Sequence, residues 1–425
     1  MSNEINEHIK VQPFACMQYF YKSEGLPRIR SFIQFEGRID ENLLKKAVDM
    51  SIDAVPLINC VFDEESFSWK QCDFTAADII HIIDDAESEG NGDTKWLTKD
   101  LDFTREPQLK IILLRQVACD KLFVIINHMV ADGCGFKDYL YLLGNLYTQC
   151  ENETFSGFNK KALKKQSFSQ VSHNFSMKKR WKILSSKLNV SMPPESFKFP
   201  LKGDHDNAVV LIKNIDNDSF NKIRKYAKDR GASINDIIIT AYVRDIYRTL
   251  KVPEITIPCP VDLRKFGKKK QIFGICNLTG LYNCTVNISE NEAFDETLHK
   301  VTAQMNVQKL GTDCMKLPMF LDMIFRTLPL RILINRFSKM RMTPFITYTN
   351  LGIIDEKRLC FGSYNVEKAY ITTAIKRNQY FQLSVSTFKD CCTLSASLFA
   401  TEEDVTFANG VLNNVKNELE GLAQQ

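Results

Sequence analysis

Two periodicities alternate along the chain. Residues 30–37, RSFIQFEG, read as a strand, and residues 39–52, IDENLLKKAVDMSI, bring Leu43, Leu44, Ala47 and Val48 onto one face of a helix with Asp40 placed to cap it. Residues 109–116, LKIILLRQ, and 121–127, KLFVIIN, are two apolar runs around the short VACD, the pattern of a hairpin. Helical spacing returns over residues 136–150. In the second half, Ser233 followed three residues later by Asp236 is a capping box for a helix over 233–250, with Gly231 closing the helix before it. A strand is predicted over 254–264, and late strands at FITYTNLG, YFQLSVSTF and TLSASLFA precede a last helix over 401–422. Strands and helices thus interleave, which predicts an α/β (α+β) fold.

Composition adds limits. With 425 residues the chain exceeds one ordinary core and suits two lobes of roughly 150–220 residues each. Hydrophobic residues at 44% and charged residues at 25% exclude the disordered and fibrous classes. No run reaches the ~18 apolar residues of a spanning helix. The polar start MSNEINEHIK lacks the apolar core of a secretion signal, so a cytoplasmic protein is expected. The 13 cysteines are odd in number and show no repeated CxxC spacing, so they read as mostly reduced, buried, small apolar residues with no metal cluster. In a strand the adjacent Cys391 and Cys392 point to opposite faces.

The net charge of +4 is ordinary, but its distribution is uneven. Between Phe155 and Lys187 stand nine basic residues, from Lys160 through Lys178, Lys179, Arg180 and Lys182 to Lys187, and no acid. With the proline-bearing NVSMPPESFKFPLKGDHD after it, this stretch is the best candidate for a crossing between halves. The expected division is 1–165, 166–205 and 206–425. Residues 315–345 are rich in Met, Phe, Leu and Ile and carry six basic residues, Lys316, Arg326, Arg331, Arg336, Lys339 and Arg341. They read as a packed helix lining a channel or as an amphipathic helix able to touch an anionic membrane.

Candidate chemistry concentrates in KLFVIINHMVADGCGF. The apolar strand ending at Asn127 delivers His128 to a rigid strand exit, and Gly133 and Gly135 read as a tight turn before the next helix. Three readings of His128 and Asp132 stay open: a buried, backbone-satisfied histidine with a capping aspartate; a metal site; and a general base. A metal is disfavoured because a separation of four residues gathers ligands only in a helix and no third ligand stands near. A serine nucleophile has no GxSxG elbow, and Cys134 is a weaker candidate nucleophile.

NHMVADG resembles the HHxxxDG signature of the condensation-domain and CoA-dependent acyltransferase superfamily. Further segments follow in that family's order. LDFTREPQLKIILLR is similar to FDLxxxPLxRxxLL, SINDIIITAYVRDI to TxNDVxLAAxxxAL, and IPCPVDLR to VPVDLR, while the HPxLRxxF element would stand at Val55 to Phe62. GICNLTGLYNCTV and TYTNLG match two more segments, so the resemblance runs from about residue 12 to 422.

The resemblance implies a chloramphenicol acetyltransferase-like fold, two similar lobes with a tunnel between them. It implies that His128 deprotonates an alcohol or amine acceptor for attack on a thioester. Asp132 would pair with Arg264 as a structural tie, Gly133 would allow the turn and leave room for substrate, and Asn350 and Gly352 would line the substrate tunnel. Asn127 replaces the first signature histidine, a structural position in the family. The DFGWG motif of plant-type members is absent, which turns the comparison toward free-standing condensation-like proteins and alcohol acetyltransferases. No permanently bound cofactor or metal is implied. The co-substrate would be acyl-CoA or a carrier-protein phosphopantetheine thioester, placing the chain in natural product biosynthesis. Partners would be a small-molecule acceptor and an acyl or peptidyl carrier protein with an acidic surface facing the basic segment; peripheral membrane contact stays open, and nucleic acid is not expected. Two rival readings remain: a condensation domain acting in trans, and a non-catalytic docking protein on the same scaffold.

Overall fold

The computed structural model describes residues 8–84, 92–154, 157, 159–186, 193–204, 206–340 and 344–424. Lys187, Arg341 and the first seven residues, which entered the sequence reading, lie outside them. Two sheets organise the rest. The first runs Val366–Thr372, Arg28–Phe35, Asp120–Asn127, Leu109–Arg115, Ile80–Asp84. The hairpin around VACD forms as an antiparallel pair in which Leu109 faces Ile126. Every residue of Asp120–Asn127 is buried, because the strand is central and covered on both faces.

Alternation then sorts the side chains. Leu122, Val124 and Ile126 join the core under helices Glu41–Ala54 and Gly133–Glu151, while Phe123 turns to the opposite face with Phe32, Ile112, Leu114 and Val210. Asp40 caps the first helix by accepting from Asn42 N at 2.7 Å and Leu43 N at 3.1 Å. The two helices are tied by Ser51 Oγ and Tyr139 Oη at 3.1 Å.

The second sheet pairs Ile346–Ile353 with Phe381–Phe388, then Cys391–Phe399, which also pairs with Ala208–Ile215. Helices Asn217–Asp229, Ile234–Leu250 and Glu402–Leu422 supply the apolar side of its core. The Ser233 and Asp236 capping box forms, and Gly231 takes φ +63° after the preceding helix. Cys392 enters this core and Cys391 faces outward, as alternation requires.

The halves interlock. Val366–Thr372, from the second half, is an edge of the first sheet, antiparallel to Arg28–Phe35. In exchange, Gly25–Leu26 pairs with Ile375–Lys376 in the second sheet. The chain therefore passes from one sheet to the other at Pro27. Residues 315–345 form two helices, Lys316–Thr327 and Leu330–Phe337, broken where Pro329 follows Leu328. Among the described residues no helix is long and apolar enough to cross a membrane.

One sequence expectation is revised. The tight turn lies before Gly133, and Gly133 and Gly135 belong to the helix, which Asp132 caps through Gly135 N at 2.7 Å. These glycines serve close approach. A Cβ at Gly135 would meet the Cys276 carbonyl oxygen at 2.8 Å, and one at Gly133 would meet Leu351 Cδ2 at 2.5 Å. Because the obstacle at position 135 is backbone, Gly135→Val is expected to cost about 1–3 kcal/mol of overpacking and to lower the urea midpoint of the whole chain. Gly133→Ala, opposed only by a leucine tip, should cost less; equal losses in urea unfolding would contradict this account.

Candidate active site

His128 follows the buried strand, and its backbone N–H donates to Pro27 O at 2.9 Å. The histidine is thus anchored where the chain changes sheets. Its ring is deeply surrounded yet half-buried rather than sealed. Nδ1 lies 3.2 Å from Asn277 Oδ1. The Asn277 amide nitrogen donates to His128 O at 2.9 Å and Met129 O at 3.2 Å, which fixes the amide orientation. The oxygen facing the ring is therefore an acceptor, Nδ1 carries the proton, and Nε2 keeps its lone pair.

Burial lowers the His128 pKa below the ordinary imidazole value, with the positive charge of Lys376 acting in the same direction. A hydrogen bond to the residue's own backbone, the Asp132 charge and Asn277 oppose the shift without reversing it. The ring is accordingly neutral at pH 7.

Asn127 has a different task. Its Nδ2 donates to Gln108 Oε1 at 2.7 Å, and its Oδ1 accepts from Met129 N at 3.1 Å, shaping the turn. Gln108 in turn donates to the carbonyls of Cys60, Phe103 and Glu106.

Asp132 points away from the His128 ring toward the other half. Its Oδ1 accepts from Gly135 N, and its Oδ2 accepts from Leu278 N at 2.7 Å and Thr279 Oγ1 at 3.0 Å. Arg264 Nη1 reaches both oxygens, at 3.1 and 3.0 Å, while Nη2 donates to Cys276 O at 2.8 Å. Burial pushes the Asp132 carboxyl up, but Arg264 and these donors outweigh it and hold the group below the usual carboxylate range. The segment 275–279 is thus gripped by Asp132 and Arg264 and presents Asn277 to the His128 imidazole.

Cys134 Sγ donates to Asp262 Oδ2 at 3.2 Å, and burial pushes its thiol up to about 12, so it offers no thiolate at neutral pH. Asn350 and Gly352 flank a β-bulge against Phe381–Phe388. Asn350 Nδ2 donates to Asn235 Oδ1 at 3.1 Å, Gly352 takes φ +74°, and Lys137 donates to the following Ile353 carbonyl at 3.2 Å. Hydrogen bonding thus ties Asn350 within the second half, and among the described residues no hydrogen bond joins it to His128.

Asn277, Pro27 and Gln108 were not singled out from the sequence. Asn277 and Gln108 do lie inside segments that carry the family resemblance, GICNLTGLYNCTV and LDFTREPQLKIILLR, which was the available signal.

No family model and no curated protein matches the sequence. Solved structures do match. The chain is similar to polyketide synthase associated protein 5 from Mycobacterium tuberculosis, at 12% identity and a TM-score of 0.69, covering 98% of this chain and 99% of that one. It is similar to the TRI3 trichothecene 15-O-acetyltransferase from Fusarium sporotrichioides, at 12% identity and a TM-score of 0.68, over 97% and 95% of the two chains. A third likeness is the starter condensation domain of rhizomide synthetase RzmA, a variant in complex with C8-CoA, at 13% identity and a TM-score of 0.66 over 98% and 95%. The chain thus has the two-lobed, chloramphenicol acetyltransferase-like fold that these structures share.

Replacing Asp132 by Asn leaves buried Arg264 with only the more exposed Asp262, 3.0 Å from Nη1, as counter-charge and is expected to cost about 3 kcal/mol. Because the folded pKa of Asp132 is depressed, its contribution is fully present above the unfolded value and is lost as pH falls through the folded one. The urea midpoints of wild type and Asp132→Asn should therefore differ at pH 7 and converge in strong acid. A constant difference across that range would assign the loss to packing.

Proposed function

We propose that the chain is an acyltransferase that moves an acyl group from a thioester to an alcohol or amine, with His128 as general base. The observation that carries this reading is the pairing of a mostly buried histidine that keeps some exposure with a fixed tautomer whose free Nε2 is unprotonated at neutral pH. The acceptor gives its O–H or N–H proton to Nε2 as its heteroatom bonds to the thioester carbon. The tetrahedral oxyanion then re-forms its carbonyl, the C–S bond breaks, and the departing thiolate takes the proton back from Nε2. No acyl-enzyme is needed, in keeping with a Cys134 thiol held protonated against Asp262. No resident metal or cofactor takes part in this scheme.

The donor is an acyl-CoA or a phosphopantetheine thioester on a carrier protein. The fold likeness to a condensation domain whose structure contains C8-CoA supports a CoA thioester as the first to try. The substrates would meet in a tunnel between the lobes, where His128 stands at the chain's passage between sheets.

A second surface bears on partners. Met177 and Trp181 of helix Met177–Ser185 are exposed, as are Phe320, Met323, Leu328 and Ile332 of the helices after residue 315. Lys178, Lys179, Arg180 and Lys182 lie on helix Met177–Ser185, and Arg331 and Arg336 on helix Leu330–Phe337. Exposed aromatic and aliphatic side chains set among bases favour peripheral contact with an anionic lipid surface.

Thiol release from a panel of acyl-CoAs with mixed alcohol and amine acceptors should require an acceptor and fall about 100-fold or more in His128→Ala. The acid limb of kcat/KM should inflect below the ordinary imidazole value of ~6.5, since protonated Nε2 cannot accept a proton. Release only from carrier-bound thioesters would select the condensing enzyme, and full function in His128→Ala would select the docking protein.

For the surface, vesicles containing phosphatidylserine should co-sediment with the protein and neutral ones should not. Trp181→Ser with Ile332→Ser should abolish the difference, and equal sedimentation with both vesicle types would remove the surface from consideration.

A further inference from the structure

The strand exchange that interlocks the halves also brings a lysine to the base. Lys376 pairs with Gly25, and a side chain at Gly25 would run into the Ile375 carbonyl, so the two backbones touch. Two residues after Gly25, Pro27 accepts the His128 N–H at 2.9 Å. Lys376 and His128 are thus held on the same short segment, one from each half. The side chain of Lys376 is 8% exposed, and among the described residues no hydrogen bond or ion pair closes on its ammonium. The one acid whose charge reaches it is Glu24, itself 3% exposed. Tyr21, on the same stretch, is deeply surrounded but half-accessible, the same condition as the His128 ring.

A buried ammonium that Glu24 compensates only through its charge, with no direct hydrogen bond or ion pair among the described residues, is costly, and an apolar residue of similar length would pack at this position without that cost. What would repay it is an anion entering beside His128. One lysine with Glu24 near it offers at most one positive charge, which suits a monoanion rather than a phosphate dianion. The site also lacks the guanidinium fork that phosphates favour, and the phosphates of CoA lie a full pantetheine arm from the reacting carbonyl.

We propose that Lys376 is the anion-recognition residue of this site and that one of the two substrates carries a carboxylate beside its reacting group. That substrate is either a hydroxy- or amino-acid acceptor or a dicarboxylic acyl donor. The assignment rests on the acyl-transfer reading for its substrate class, but the anion site itself is measurable without turnover. Burial also lowers the Lys376 pKa, and a bound carboxylate would favour the ammonium form again.

The test uses the full chain as wild type, Lys376→Met and Lys376→Arg. Thermal unfolding is followed with 3-hydroxybutyrate or glutarate and, at equal ionic strength, with neutral 1,3-butanediol. The carboxylates should raise the wild-type midpoint by roughly 2 °C and the diol should not. The rise should vanish in Lys376→Met and persist in Lys376→Arg. No carboxylate-selective rise in the wild type, or an undiminished rise in Lys376→Met, would overturn the proposal, and the wild-type and Arg results decide even if the Met variant folds poorly.

Kinetics then separate the two sources. One arm pairs acetyl-CoA with 3-hydroxybutyrate or butanol, and the other pairs succinyl-CoA or butyryl-CoA with butanol. Lys376→Met should raise KM about tenfold or more in the arm that bears the carboxylate and change the neutral arm less than twofold. An equal fall of kcat in every arm would place Lys376 on the oxyanion common to all reactions and refute carboxylate recognition. Absence of thiol release from every wild-type pair would defeat the acyl-transfer reading, while the unfolding comparison would still decide the anion site.

Discussion

The structure depends on one buried carboxylate. Asp132 ends the turn that carries His128, starts the helix Gly133–Glu151, and binds Arg264, Leu278 N and Thr279 Oγ1 from the other half. Each contact alone is modest. Together they offset the charges of a carboxylate and a guanidinium that would be ruinous to bury separately, and they do so only in one relative placement of the two lobes. The same pair holds segment 275–279, which carries Asn277 to the imidazole. Lobe alignment and the state of the His128 imidazole are therefore set by a single electrostatic knot.

Most regular elements were legible in the sequence because their determinants are local. Asp40, Ser233 with Asp236, and Thr401 announce helix starts by chemistry within four residues, and each caps its helix through side-chain oxygens. The hairpin of Leu109–Arg115 and Asp120–Asn127 follows from two apolar runs and a short connection. What escaped depends on distant backbone. Gly133 and Gly135 look like turn residues until the Cys276 carbonyl and Leu351 come against them. Likewise, nothing local marks Val366–Thr372 as a strand of the first sheet, because its partner lies more than three hundred residues earlier.

The site was legible unevenly for the same reason. His128 and Asp132 stand in one heptapeptide, so spacing could single them out. Asn277 could not be assigned a role, because its meaning lies in three contacts to a loop far away in sequence. Lys376 was invisible as well: one lysine among 55 basic residues gains interest only once it is seen buried with its charge reaching His128.

The identity of the orienting group has a chemical consequence. A carboxylate against Nδ1 would stabilise imidazolium and raise the pKa, which suits a base that must hold charge through a long-lived intermediate. Here the group against Nδ1 is a neutral amide, and the nearest carboxylate, Asp132, is turned away and spent on Arg264. With burial and a nearby ammonium the imidazole stays neutral, at the cost of a weaker drive to take a proton. In the proposed acyl transfer, such a base works best when the proton is held briefly and returned to the departing sulfur within the same encounter. That is what direct transfer between two bound substrates requires, and a stored acyl-enzyme would not. The amide of Asn277 thus joins the fold to the kind of reaction the site favours, since the segment that presents it is fixed by the Asp132 and Arg264 pair.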